Sequence, residues 1–153
     1  MRQIFALMVL GVLLVGCASE TVFIRCVAPE GRALAVHRTR ARFDGYTDVA
    51  CMHLTSECPD RCAHGGRYAN FTILSYLGYE KLDGQYGDPK QTSFAFRVAR
   101  RDGSEDPGTP EPLRALVGRL DKGQQVYLDW THFYVTDGAG SWWPERLVTR
   151  LAE

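Results

Sequence analysis

The sequence predicts a mainly β domain: a small, partly open barrel of five strands with one helix between the third and fourth. Two observations carry this. Apolar and polar side chains alternate in several separate stretches, which is the period of a strand with one buried face. Only one stretch, beginning at Glu111-Pro112, repeats its apolar residues at helical spacing.

The first strand is read over Leu34 to Phe43, with Val36, Arg38, Arg40 and Arg42 on one face and Ala35, His37, Thr39, Ala41 and Phe43 on the other. Val49 to Leu54 continues or restarts it. Tyr68 to Tyr79, rich in β-branched and aromatic residues, is a second long strand. After a turn over Gly84 to Gln91, Thr92 to Ala99 makes a third, with Phe94, Phe96 and Val98 on one side. A polar loop then leads to the helix. Proline is tolerated in its first turn, Leu113, Leu116, Val117 and Leu120 form its apolar stripe, and Asp121-Lys122-Gly123 stops it. Gln125 to Val135 is the fourth strand, with Val126, Leu128, Trp130, His132 and Tyr134 on one side, and Arg146 to Leu151 is the last.

This order resembles the layout of the oligonucleotide/oligosaccharide-binding fold, and the run from Leu120 to Leu128 looks like the usual approach to its fourth strand. The resemblance is one of layout and implies no activity.

The amino terminus has a different character. Met1-Arg2-Gln3 carries one positive charge, and Ile4 to Val15 then holds no polar side chain. A spanning helix needs roughly 20 apolar residues, so this run has the length of a secretory leader instead. It ends in Leu14-Val15-Gly16-Cys17, which resembles the lipobox of bacterial lipoproteins. The resemblance implies a diacylglycerol thioether on Cys17, cleavage after Gly16 and acylation of the new amino group. Several acyl chains hold a protein on a bilayer essentially permanently. Ala18 stands where an aspartate would favour retention at the inner membrane. The expected address is the bacterial cell envelope, on the periplasmic side of the outer membrane where the source has two membranes. The expected division is leader 1–16, lipid-anchored tether 17–33, with room for a short strand at Val22, Phe23 and Ile24, and β domain 34–153.

Eighteen basic and eighteen acidic residues balance in the full chain, and removal of the leader takes away Arg2 and no acid. So even a charge creates no global field to recruit nucleic acid, which is not expected as a partner. The partners expected are the membrane, through the lipid on Cys17, and an envelope protein or small ligand. The arginine row at Arg38, Arg40 and Arg42 suits anionic headgroups or an acidic partner, and equally a solvated strand face.

With Cys17 committed to lipid, Cys26, Cys51, Cys58 and Cys62 remain. Three readings stay open. In an oxidising compartment the four form disulfides, with three possible connectivities, one of them Cys58 with Cys62 and Cys26 with Cys51. Alternatively His53, Cys58, Cys62 and His64 close a tetrahedral site for zinc or copper, the only cofactors the sequence suggests. Gly65 and Gly66 beside it permit a sharp turn. The third reading is a redox pair at Cys58 and Cys62, although three residues intervene where thioredoxin-like motifs have two. The stretch from Glu57 to Gly66 also resembles segments of bacterial envelope proteins.

No nucleophile–histidine–acid motif, phosphate-cradling glycine loop or paired-carboxylate pattern is present, so the expected function is binding and not catalysis. The candidate binding surface is Trp142 and Trp143, read as a loop beside Gly140 and Pro144, together with the stripe of Trp130, His132 and Tyr134.

Overall fold

A computed structural model describes residues 21–23, 31–50, 65–136 and 142–153. They form one antiparallel sheet and one short helix, in the order β1 (Thr21–Phe23), β2 (Gly31–Val49), β3 (Gly66–Lys81), β4 (Ser93–Arg100), α1 (Glu111–Val117), β5 (Gln125–Thr136) and β6 (Trp142–Ala152). In space the strands run β1-β6-β5-β2-β3-β4.

β2 is the spine. Its Gly31 to Arg42 portion pairs with β5, and Ala35 to Val49 pairs with β3, so much of it is bonded on both edges. The expected alternation is present: His37, Thr39, Ala41 and Phe43 are buried, while Arg38, Arg40 and Arg42 are exposed. A strand of 19 residues stays flat only at a cost, and three register shifts against β3 bend this one. The last shift lies between Phe43 and Gly45, where φ of 96° at Gly45 is a conformation glycine adopts without a Cβ clash. With that bend the strand continues to Val49, and residues 51–54 of the expected continuation lie outside the described residues.

The sheet coils around its core. Phe94 of β4 stacks on Trp130 of β5 at 4.3 Å between ring centroids, although β3 and β2 lie between those strands in the sheet. Leu113, Leu116 and Val117 of α1, with Leu120 after it, join Phe43, Phe71, Phe96, Leu128 and Leu151 in the same cluster. Burying such side chains contributes roughly 1.5–3 kcal/mol each before conformational entropy is counted. Pro110 leaves the helix without a side-chain cap. Its first turn is held from the side: Arg114 donates to the carbonyls of Asp106 and Thr109, and buried Asp106 accepts from Arg97 of β4 at 2.8 Å.

The short strand offered within the tether is present as β1, Thr21 opposite Ala152 and Phe23 opposite Arg150 of β6. Two features differ from the expectation. The sheet is not closed into a barrel, because no ladder joins β4 to β1 or β6 among the described residues. Trp142 and Trp143 begin β6 instead of sitting in a loop, opposite Thr136 and Val135. Antiparallel pairing with β5 gives their backbone groups partners on that edge.

Candidate functional site

Two polar arrays stand on opposite sides of β2, and the inner one contains part of the predicted stripe. Trp130, fully buried on β5, lies opposite His37 of β2, and the two rings stack at 4.4 Å and 10°. His37 Nδ1 is 3.2 Å from the Tyr76 hydroxyl, which is held in turn by the Gln91 amide at 2.6 Å. Two residues along β5, His132 Nδ1 accepts from the Asp88 amide at 3.2 Å. The Asp88 carboxylate takes Arg146 Nε and an Arg146 terminal nitrogen at 2.6 and 3.0 Å, and the Asp88 carbonyl accepts from Tyr79 at 2.7 Å. The turn between β3 and β4 is thereby tied to β3, β5 and β6 at once.

This array is neutral at its centre. Burial drives the His37 pKa down to about 4, and the nearby Asp88 carboxylate only partly offsets it. Burial also lowers the pKa of His132, whose Nδ1 is already an acceptor and is therefore unprotonated. Among the described residues, buried His37 Nε2, His132 Nε2 and Trp130 Nε1 have no hydrogen-bond partner. The His37, His132 and Asp88 side chains do not form a metal-binding group, and none is found among the described residues.

The predicted stripe therefore divides. Trp130 and His132 belong to the core, whereas Tyr134 is half-buried at its margin, stacked parallel to exposed Tyr86 with centroids 6.3 Å apart. His37, Tyr76, Tyr79, Asp88 and Arg146 were missed. His37 was findable, since it occupies an inward position of the β2 alternation. Asp88 was not, because it comes from a turn 44 residues away from His132.

The outer array begins with Arg38, Arg40 and Arg42. Register places Asp129 and then Arg150 beside Arg38, and Tyr127 beside Arg40. Arg40 donates to Gln125 at 2.8 Å, Arg42 pairs with Asp44 at 2.8 Å, and Arg150 lies 3.6 Å from Asp129 and over the Tyr127 ring. Arg38 makes no hydrogen bond or ion pair among the described residues, and its charge reaches Asp129 only through space. Burial raises the Asp129 pKa against the pull of its arginines and of the Thr39 amide.

Two β-bulges add apolar groups to this face. Tyr76 opposes Thr39 and Gly78 opposes Arg38, leaving Leu77 as an extra residue; Ile73 opposes Ala41 and Ser75 opposes Arg40, leaving Leu74 as another. Ile73 and Tyr76 fill the inner positions, packed against the core. The two leucines are left in solvent, 44% exposed at Leu74 and 55% at Leu77. Sequence periodicity missed this because an inserted residue shifts every following side chain by one position.

A third feature is a shallow depression of about 450 Å³ where β2, β3 and β4 end, lined by Asp48, Gly66, Arg67, Ala99, Arg100 and Arg101. Gly66 suits that approach: its φ is 145°, and a Cβ there would meet the Ala99 carbonyl oxygen. The remaining predicted site residues, Cys17, Cys26, Cys51, His53, Cys58, Cys62 and His64, lie outside the described residues.

The fold and these two faces define a small antiparallel β domain with a hydrophobic core, a buried polar array beside it and a basic, leucine-bearing outer surface. No family model, no curated protein and no solved structure matches the chain.

Proposed function

We propose that the chain is a lipid-anchored module of the bacterial envelope that binds a partner surface and does not catalyse a reaction. The observation that carries this reading is the position of β1. Only Ala18, Ser19 and Glu20 separate Cys17, the residue of the lipobox-like sequence, from a strand paired into the sheet. Three residues and their flanking bonds span at most about 14 Å. A lipid on Cys17 therefore holds the domain at the bilayer and not on a long stalk, on the periplasmic face of the outer membrane where there are two. The reading includes a cross-link in the Cys/His stretch from His53 to His64, where export favours disulfides over a zinc or copper site.

The intact mass of the mature chain tests the reading. It should begin at Cys17 and carry acyl mass, and Cys17→Ser should give unprocessed precursor or a chain that no longer sediments with membranes. A mature chain beginning at Cys17 without acyl mass contradicts it.

A further inference from the structure

We propose that the outer face of β2 and β3 docks flat on the anionic headgroups of the bilayer that carries the anchor, an inference that rests on the lipid-anchored reading above. Three observations support it. Charge comes first: Arg38, Arg40, Arg42 and Arg150 outnumber the acids of the same face, Asp44, Asp129 and the Glu80 that lies opposite Val36, and Arg38 has no hydrogen-bonding partner among the described residues. Phosphate headgroups accept from guanidinium forks in the way carboxylates do.

The second observation is the pair of leucines. A bulge raises Leu74 beside the Arg40 row and another raises Leu77 beside the Arg38 row, and both are about half exposed. Cations that reach headgroups, set beside apolar side chains that enter the acyl boundary, are the combination by which interfacial elements lie on membranes. A merely solvated strand face explains the arginines but gives no reason for two bulges that both expose leucine.

The third is reach. The row Phe23, Arg150, Asp129, Arg38 crosses β1, β6, β5 and β2 in continuous register. β2 thus lies three strand spacings from β1, roughly 15 Å. The short link from Cys17 to Thr21 keeps this face within range of the surface that holds the lipid.

The test uses the mature lipoprotein in vesicles of phosphatidylcholine alone and of phosphatidylcholine with phosphatidylglycerol, labelled with an arginine-selective dicarbonyl and read by mass spectrometry. Arg38, Arg40 and Arg42 should be labelled several-fold less in the anionic vesicles, with exposed Arg101 unchanged. Leu74→Ser/Leu77→Ser, which alters solvent-exposed positions only, should recover much of the labelling while the chain stays folded by circular dichroism. Equal labelling in both vesicles, for a chain with full acyl mass, overturns the docking and leaves the anchor intact. Protection by an acidic polypeptide but not by phosphatidylglycerol overturns it in favour of a protein partner. If the mature chain carries no acyl mass, the anchor reading fails, and the same labelling of that chain mixed with the vesicles judges the face by itself.

Discussion

Alternate residues of one strand do opposite work in this domain. On the inner side of β2, His37 and Thr39 are wholly buried and bonded to other strands, Thr39 Oγ1 donating to the Leu128 carbonyl at 2.6 Å. On the outer side, Arg38, Arg40 and Arg42 lie in solvent, where their pairs contribute little because water screens them. The comparison teaches that polarity alone does not mark a site. The inner polar groups tie strands together through bonds such as those of Thr39 and His37 Nδ1, whereas the outer arginines pair only in solvent, and Arg38 has no hydrogen-bonding partner among the described residues.

The contrast is broken most severely from inside. Trp130→Ala removes the ring on which His37 and Phe94 both stack, and should cost about 3–5 kcal/mol, measured as a lower urea midpoint. A cost below about 1 kcal/mol would mean that this part of the core repacks freely.

Acid is the next largest lever. His37 has a pKa of about 4 when folded against 6.5 in the unfolded chain, so the unfolded chain takes up the proton first. The stability tied to its neutral form is complete above about pH 6.5 and is lost as pH falls towards 4, in all about 3 kcal/mol. His132, lowered in the same direction, adds to the loss. Asp129, raised by burial, opposes it, because it protonates more readily when folded. Urea midpoints at pH 7 and pH 4.5 should differ accordingly, and His37→Phe should flatten the dependence. A pH dependence left unchanged by His37→Phe would show that His37 is solvated.

Smaller again is Thr39→Val, which leaves the Leu128 carbonyl short of a partner in the buried interior. The expected cost is about 1–3 kcal/mol in the same assay.

Much of this division was legible beforehand. The period of two from Ala35 to Phe43 identified the inner and outer residues of β2, and the helical spacing of Leu113, Leu116, Val117 and Leu120 located α1. What was not legible depended on long-range pairing. The bulges at Leu74 and Leu77 fall in a stretch that reads as strand whatever its register. The Asp88 link needs a turn brought against β5 and β6, and no local pattern encodes that. The separation of the β4 and β6 edges is likewise a property of how far the sheet coils, which strand patterns leave undetermined. The candidate binding residues were harder still. Trp130 carries the aromatic signature of a ligand surface and of a core equally, and only its neighbours distinguish the two.

The Cys/His loop gives a prediction independent of either face. A thiol count on protein purified without reductant should find Cys26, Cys51, Cys58 and Cys62 all oxidised. Two free thiols with stoichiometric zinc or copper would replace the disulfide account with the metal one.

The central claim is that the outer arginines are dispensable to the fold. Urea unfolding of the mature chain carrying Arg38→Gln, Arg40→Gln and Arg42→Gln together tests it most directly. Surface substitutions away from buried partners usually stay within about 0.5 kcal/mol each, so the midpoint should remain close to that of the parent. A loss of several kcal/mol would make the row part of what holds the sheet together, and the division between the two faces of β2 would be wrong.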